Sequence, residues 1–445
     1  MSAPRILIVG GGLAGSEAAW QAARRGCAVE LFEMRPARRT PVHRTGMLAE
    51  LVCSNSLKSD LLDSAPGLLK EEMRRCDSLV IRVADRTRVP AGGALAVDRD
   101  LFARGITESI ASLPNVRVHR EEVRAVPGEG PCVLATGPLA SESIAASIAE
   151  FTGKEYLYFF DAISPIVDAG TIDYDRVFRA SRYDKGGNDY LNCPLTAEQY
   201  ERFHDQLIRA AEAPTHDFEQ GIAYFEGCLP IEEMARRGRE TLLFGPMKPV
   251  GLVDPRTGRR PFAVVQLRQD TVAADFYSMV GFQNHLKFGE QVRIFRLIPG
   301  LERAEFPRLG QVHRNSYINA PALLLPSFQA RRRPDLFFAG QISGVEGYLE
   351  SAASGLIAGI NAARLARGEP PLIFPATTAL GALARYISSA DAADYQPANI
   401  AFGLLPPLPR EIRDRRQRKA AMVRRALLDL EAFMGSPAVV GAPAP

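Results

Sequence analysis

Disulfide chemistry is the first feature that the sequence lacks. Its cysteines are scattered over 445 residues without a C-x-x-C pair, and the N-terminus has no charged leader, apolar segment or cleavage site. Small secreted domains show the opposite pattern on both counts. We therefore expect a reduced protein of the cytoplasm. Its six cysteines are Cys27, Cys53, Cys76, Cys132, Cys193 and Cys228.

Long hydrophobic runs are also missing. The longest apolar stretches are strand-like segments such as ILIVGGG and ALLLP, far short of the ~20 residues that cross a bilayer as a helix. We expect no membrane attachment, and no segment of the chain indicates an obligate protein partner.

Metal-binding and hydrolase motifs are absent as well. The histidines form no H-E-x-x-H motif and no His/Cys set at ligand spacing, and the chain contains no G-x-S-x-G elbow and no Walker loop. We expect no metal site. The six histidines are His43, His119, His204, His216, His285 and His313.

Neither sign of charge dominates the composition. Lys and Arg number 54 against 51 Asp and Glu, a net charge of +3 that by itself indicates no nucleic-acid partner. A content of 46% hydrophobic and 24% charged residues is that of an ordinary soluble enzyme. The length predicts two or three domains.

The first 35 residues contain a complete βαβ opening. An apolar strand at Ile6 to Val9 is followed by a G-x-G-x-x-G turn, an Ala-rich helix and a second strand that ends at Glu33. Such glycines allow a tight turn, close approach of a pyrophosphate and close helix packing, and the acid suits an adenosine ribose. We expect a dinucleotide site, for NAD or FAD, at Gly10, Gly12, Leu13, Ala14, Gly15 and Glu33.

Two later stretches favour FAD. CVLATGPL (132–139) is a buried strand with a turn, and 335–366 is a strand, a glycine-rich turn and a long helix of small residues. Both resemble motifs of two-dinucleotide-fold flavoproteins, in which a late helix N-terminus approaches the flavin. An alternative for the late segment is a tightly packed helix alone. The cofactor contacts expected here are Ala135, Thr136, Gly137, Gly340, Gln341, Gly347 and Tyr348.

These patterns predict an α/β fold, a Rossmann-like FAD-binding domain with an inserted α/β domain. From about 150 the sequence changes to short strands and loops, and the glycine-rich pattern returns near Leu336. We assign 1–149 to the first part of the FAD-binding domain, 150–325 to the inserted substrate domain and 326–434 to the second part with a basic C-terminal helix. The tail at 435–445 has a composition typical of disorder.

The basic helix lies in REIRDRRQRKAAMVRRALLDLEAFMG (410–435). Cations along one helix can neutralise phosphates, whereas a solvated face packed through an apolar stripe at Ile412, Met422, Leu427 and Leu428 explains the same pattern. The sequence leaves both interpretations open. The candidate tRNA contacts are Arg413, Arg415, Arg416, Arg418 and Lys419.

Taken together, several segments resemble the folate- and FAD-dependent tRNA (uracil-5-)-methyltransferases. The resemblance runs to about Gly403 and is weakest over the last forty residues. Two alternatives are the related, longer FAD enzyme that modifies wobble uridine and a flavin oxidoreductase acting on a small metabolite; a non-enzymatic RNA-binding flavoprotein is a third. The segments are ELVCSNSLKSD, FEGCLPIEEMARRG, GPMKPVGL, MVGFQNHLKFGEQVRIFRLIPGLERAEF, HRNSYINAP and FFAGQISGVEGYLESAASGL.

The resemblance implies methylation of carbon 5 of the T-loop uridine, position 54 of tRNA. Methylenetetrahydrofolate would donate the carbon and NADPH or NADH would reduce the flavin. Cys228 matches the family cysteine usually assigned as the uracil nucleophile, and Cys53 a second functional cysteine, read as base, helper or guard. A thiolate suits such work because it is nucleophilic and leaves readily. Without the resemblance, each is as easily a buried structural thiol.

A folate would need a stacking surface and polar partners on its pterin edge. Tyr348, together with His313, Arg314 and Asn315, is the set we expect to supply them. Tyr348 also fits a core aromatic at the start of a helix.

Overall fold

The computed structural model describes residues 3–40, 42–153, 157–213, 229–393, 395–436 and 439, with the backbone alone at 157–162 and 312–314. The strands, in chain order, are β1 (Arg5–Val9), β2 (Ala28–Phe32), β3 (Ser56–Ser59), β4 (Arg88–Val89), β5 (Ala94–Val97), β6 (Val116–His119), β7 (Cys132–Leu134), β8 (Leu157–Ala162), β9 (Ile166–Asp168), β10 (Phe178–Arg179), β11 (Tyr190–Leu195), β12 (Ala263–Gln269), β13 (Phe276–Met279), β14 (Val312–Tyr317), β15 (Gln329–Ala330) and β16 (Arg333–Phe338). The helices are α1 (Leu13–Ala23), α2 (Ala65–Arg75), α3 (Leu79–Arg86), α4 (Arg99–Ala111), α5 (Glu142–Thr152), α6 (Ala197–Ile208), α7 (Ile231–Arg236), α8 (Thr241–Phe244), α9 (Phe288–Phe295), α10 (Ala320–Leu323), α11 (Tyr348–Ala366), α12 (Ala379–Ser389) and α13 (Arg415–Met434).

A six-stranded sheet organises the cofactor-binding part of the molecule. Its order is β15-β16-β7-β1-β2-β6, and all neighbours are parallel except the edge pair β15–β16. Parallel strands covered on both faces need apolar runs, and β1 buries Ile6, Ile8 and Val9 accordingly. The predicted strand, helix and second strand are all present, with Glu33 directly after β2. The α/β prediction is confirmed.

Helices α1 and α11 pack against each other beside this sheet. Every residue of α1 is buried, so α1 is not an amphipathic surface helix. Its small side chains instead let neighbouring elements pack close to it. A Cβ on Gly359 would lie 2.6 Å from the Cα of Ala18, and one on Gly355 would overlap the backbone of Ala14. Glycines in α11 therefore bring its N-terminal end close to that of α1, where the dinucleotide turn lies.

A second hydrophobic core occupies the inserted region. Its buried residues fall between 167 and 304, whereas the larger core draws on residues 6–148 and 317–430. The inserted sheet is antiparallel, in the order β10-β11-β12-β13-β9. The strands β8 and β14 enter and leave this region as an antiparallel pair. A small three-stranded sheet, β3-β5-β4, lies between the cofactor motif and the insert in sequence.

The predicted basic helix is present as α13, but its apolar stripe differs from the predicted one. Met422 is buried, whereas Leu428 is 59% exposed, so the assignment of Leu428 to the buried stripe is wrong. Burial follows Met422, Ala426 and Leu430, which are spaced by four residues and share one face. Leu428 lies two residues from both later members and points away from it.

Among the described helices, none is both long and apolar enough to span a bilayer.

Candidate active site

The glycine-rich turn after β1 is built as the motif requires. Gly10 has a φ of +104°, and a Cβ there would overlap the Ala135 carbonyl oxygen. A Cβ on Gly15 would overlap the carbonyl oxygen of Gly10, so this glycine lets α1 start against the turn. A Cβ on Gly12, in contrast, would meet no atom within 4 Å. That gap, at a helix N-terminus whose cap makes no side-chain bond, suits an anionic phosphate.

A cleft of about 1150 Å³, its open mouth included, extends from this turn. Most of the predicted cofactor residues line it, whereas Gly15 and Gly347 are not among its lining residues. The predicted residues that line the cleft are Gly10, Gly12, Leu13, Ala14, Glu33, Cys53, Ala135, Thr136, Gly137, Gly340, Gln341 and Tyr348.

Glu33 lines the cleft, but it is already engaged. Its Oε2 accepts the backbone N–H of Gly11 at 3.0 Å, and both oxygens accept bonds from Arg35. Burial acts to raise the pKa of the Glu33 carboxyl, yet the bonds from Arg35 outweigh it and lower that pKa, so the group is charged. A ribose hydroxyl would have to share this carboxylate with Arg35, a residue that the motif did not indicate.

Thr136 has an unused polar group beside the cleft. Its hydroxyl oxygen is buried, and no described residue hydrogen-bonds it. Buried hydroxyls are normally paired, so a group that a ligand can reach fits a cofactor-binding wall. Gly340 approaches the opposite side closely, since a Cβ there would lie 3.0 Å from the Cβ of Ala14.

Tyr348 and Cys53 meet at the end of the cleft. The Tyr348 hydroxyl accepts the N–H of Cys53 at 2.6 Å and that of Ser54 at 3.3 Å. Burial raises the pKa of Tyr348, which keeps the phenol neutral. The side chain is therefore a wall of the cleft and also the group that fixes the Cys53 loop at the start of α11. Tyr348 therefore has a hydrogen-bonding role that neither of the two interpretations from sequence, a stacking surface or a core aromatic, includes.

A partly buried ion pair joins the strand that follows this loop to α11. Lys58, on β3, donates to Glu350 Oε1 at 2.7 Å and also bonds Asn399. Glu350 is fully buried in the first turn of α11 and also accepts the N–H of Ile400. Strand β3, the start of α11 and the 399–400 segment are thus joined at one carboxylate, three residues from Gly347.

Arginines from distant segments surround Cys53, and sequence reasoning missed them. Arg99 donates to the carbonyl oxygen of Leu51 at 2.9 Å, and Arg268 donates to Ser54 Oγ and Asn55 Oδ1. One signal was available: Arg268 is the one charged residue of the strand AVVQLRQ, and a buried strand seldom carries an unpaired charge.

Apart from Tyr348, the predicted folate residues lie on β14. Asn315 is fully buried, and no described residue hydrogen-bonds either atom of its amide. The next residue, Ser316, donates its N–H to the carbonyl oxygen of Pro138, which lines the cleft. The side chains of His313 and Arg314 lie outside the described residues. So does Cys228, within 214–228.

The five predicted cations lie just before and at the start of α13. Arg413, Arg415, Arg416 and Arg418 are exposed to solvent, and Lys419 is half-buried. Among the described residues, no carboxylate pairs with any of the five predicted cations, and Lys419 lies over the Phe402 ring at 5.7 Å. Arg425, further along, is different: it donates to the carbonyl oxygens of Pro406 and Pro407 and holds that loop. Arg425 therefore has a structural role that the five predicted tRNA-binding cations do not share.

Known proteins resemble this chain over nearly its whole length. Residues 5–370 match the family described as glucose inhibited division protein A. The chain is 59% identical over 433 residues to methylenetetrahydrofolate–tRNA-(uracil-5-)-methyltransferase TrmFO of Pelotomaculum thermopropionicum, covering 97% of this chain and 99% of the relative. It is 58% identical to the protein of the same name from Enterococcus faecalis, covering 95% and 97%.

Solved structures add a likeness of fold. GidA of Aquifex aeolicus, in its form II crystal, superposes with a TM-score of 0.69 at 17% identity. The match covers 97% of this chain and 74% of that one. At this identity the likeness concerns the fold alone.

Proposed function

This chain belongs to the glucose inhibited division protein A family and, within it, to the methylenetetrahydrofolate–tRNA-(uracil-5-)-methyltransferases, and on that premise we propose that it methylates carbon 5 of a uracil in tRNA. Near-full-length identity to relatives of that name is the observation that carries the proposal. The finer assignment is the T-loop uridine at position 54, with methylenetetrahydrofolate as carbon donor and NADPH or NADH as reductant.

The residues of the cleft fit FAD. The open space at Gly12 and the uncapped start of α1 would receive the pyrophosphate, while Glu33 and Arg35 would hold the adenosine ribose. The unpaired Thr136 hydroxyl and the start of α11 would face the rest of the cofactor. When bound, FAD supplies redox chemistry and one-carbon transfer that no protein side chain provides.

The reaction at uracil needs a nucleophile for carbon 6 and a base for the proton on carbon 5. A thiolate adds to carbon 6 and later leaves, because it is both a strong nucleophile and a good leaving group. We assign that role to Cys228 from its motif. Cys53, on the wall of the cleft, is assigned the second role, as the group that removes the proton, assists the flavin adduct or guards the reactive thiol.

The folate is assigned to the region where β14 meets the cleft. A pterin edge presents both donors and acceptors, and the unpaired amide of Asn315 offers both in return. His313 and Arg314 complete the proposed set, with Tyr348 on the wall of the cleft. The predicted cations Arg413, Arg415, Arg416, Arg418 and Lys419, the first four of them exposed, are proposed to meet tRNA phosphates.

Nucleoside analysis tests this function. The purified yellow protein is incubated with an unmodified tRNA transcript, methylenetetrahydrofolate and NADPH or NADH, and 5-methyluridine is measured by mass spectrometry. We expect product with the parent protein and a loss of at least about 100-fold with Cys53→Ala, a size typical when a catalytic group is removed. Cys76→Ala is the control, since that thiol is buried at the end of α2 and its pKa is raised to about 12 by burial.

The absence of 5-methyluridine with the parent protein would reject the proposal. Flavin turnover without RNA would favour a metabolite oxidoreductase instead, and tRNA binding without modification would favour an RNA-binding protein.

A further inference from the structure

Cations converge on the loop that carries Cys53. They come from three places in the chain: Arg99 at the start of α4, Arg268 on β12 of the inserted sheet, and Arg308 in the segment before β14. We call these three the guanidinium cluster. Two of its members bond residues on either side of Cys53, and the third lacks a described partner.

Arg99 secures the chain before Cys53. Its side chain is 11% exposed, donates to the Leu51 carbonyl oxygen at 2.9 Å and pairs with Asp270 at 3.1 Å. Burial disfavours the charge, but Asp270 outweighs it and raises the pKa of Arg99. Asp270 therefore balances one positive charge of the cluster.

Arg268 secures the chain after Cys53. It donates to Asn55 Oδ1 at 2.8 Å and to Ser54 Oγ at 2.9 Å, which are neutral acceptors. No described carboxylate lies within ion-pair distance of it. Burial, with Arg99 among the further causes, lowers the pKa of Arg268, as expected for a cation that lacks a counter-ion.

Arg308 adds a second uncompensated charge. The neighbouring Pro307 carbonyl oxygen accepts Arg44, from the segment before Cys53, at 3.5 Å, which brings Arg308 to this loop. The Arg308 side chain is half-buried, and its guanidinium bonds no described residue. Burial, and after it the charge of Arg99, lowers its pKa to about 10, so the group is still cationic at neutral pH. A negative charge on Cys53 would favour the charged form of all three guanidinium groups.

The other titratable groups nearby leave this positive excess in place. Burial, and then the charge of Arg35, lowers the pKa of His43 to about 4, so the imidazole is neutral. Glu50 is occupied by Arg35, Arg44 and Thr45. The described charged or titratable groups that face the loop are Tyr348 from α11, Arg99 from α4, Arg268 and Asp270 from the β12 segment, Arg308, and His43, Arg44 and Glu50 from the preceding loop.

We propose that the guanidinium cluster holds the Cys53 side chain as a thiolate at neutral pH. Positive charges near a thiol favour its anion, as in reactive cysteines generally. Here Asp270 balances only one of the three cations of the cluster, because Glu50 is paired with Arg35. The arginines are positioning residues, since they act through Cys53. Use of the thiolate on uracil rests on the proposed function, whereas its ionisation does not.

Alkylation of Cys53 as a function of pH tests this proposal. The FAD-loaded Cys228→Ala protein is treated with iodoacetamide, a neutral reagent, and labelling of the Cys53 peptide is followed by mass spectrometry. A free thiol ionises near pH ~8.5. We expect a midpoint at least about one pH unit lower. The same midpoint should appear in the thiolate absorbance near about 240 nm, taken as the difference from Cys53→Ser, which requires no reagent access.

Variants of the cluster separate charge from structure. Arg308→Gln should raise the midpoint by about one pH unit, while Arg308→Lys should leave it near that of the parent. Arg303→Gln, an exposed arginine of the same segment, is the control that should change nothing. Arg268→Gln is the second variant. If Arg308→Gln fails to retain FAD, the midpoint of Arg268→Gln tests the proposal in its place.

A parent midpoint at or above about 8.5 overturns the proposal. So does a midpoint that neither Arg308→Gln nor Arg268→Gln moves. If the midpoint behaves as expected but tRNA is not methylated, the thiolate stands and the proposed function falls.

Discussion

At the scale of single residues, Tyr348 does more than its sequence position indicates. A tyrosine after a glycine-rich turn predicts a ring against the cofactor, and the ring does line the cleft. Its hydroxyl, however, accepts two N–H groups from a loop nearly 300 residues earlier in the chain. No local pattern encodes that contact, because it exists only once the small sheet and α11 have packed together.

Tyr348→Phe should therefore impair catalysis while leaving the fold intact. It leaves two backbone N–H groups without their acceptor, at a cost of about 1–3 kcal/mol if they stay buried. We expect FAD content to be retained and the rate of 5-methyluridine formation to fall at least about tenfold, the factor that about 1.4 kcal/mol represents. Tyr386→Phe is the control, since that hydroxyl bonds only the Gln396 carbonyl oxygen among the described residues. An unchanged rate in Tyr348→Phe would show that the loop needs no such anchor.

At the scale of elements, the dinucleotide motif was predictable because its determinants are local. Gly10, Gly12 and Gly15 lie within one turn, and each has the surroundings expected of it. The guanidinium cluster was not predictable, since Arg99, Arg268 and Arg308 come from elements that only the tertiary fold brings together. The stripe of α13 failed for a different reason: Leu428 is apolar, yet the helix phase of Met422, Ala426 and Leu430 turns it to solvent.

The contact between α1 and α11 should be sensitive to a single methyl group. A Cβ on Gly355 would overlap the backbone of Ala14, which cannot move without disturbing the dinucleotide turn. We expect Gly355→Ala to lower the free energy of unfolding by about 1–3 kcal/mol through overpacking and to reduce FAD content. Both are measured by thermal unfolding and the flavin absorbance of the purified protein.

Gly403→Ala is the matched control, because a Cβ there meets nothing within 4 Å. If Gly355→Ala proves as stable and as yellow as Gly403→Ala, then the close approach of the two helices is not what shapes the cofactor turn.

At the scale of the whole molecule, charge distribution matters more than net charge. The net charge of +3 says little, but exposed cations without described carboxylate partners gather at the start of α13. If they neutralise tRNA phosphates, each contact contributes a slope of about 0.7–0.9 in log K against log salt concentration.

Charge reversal at this face should weaken tRNA binding in a salt-dependent way. For the double variant Arg415→Glu, Arg418→Glu, we expect the slope of log K against log salt concentration to fall by the amount that about two phosphate contacts contribute. FAD content should stay constant. Arg104→Glu, an exposed position on α4, is the control. Equal affinity and slope for all three proteins would assign the α13 cations to solvation alone.

The most direct test of the account as a whole follows one carbon atom. Methylenetetrahydrofolate labelled with carbon-13 in its methylene group is supplied with unmodified tRNA and NADPH or NADH, and the tRNA nucleosides are then analysed by mass spectrometry. The account predicts that the label appears in 5-methyluridine of the T loop with the parent protein and is lost with Cys53→Ala. Unlabelled 5-methyluridine, or none at all from a fully flavin-loaded protein, would contradict it.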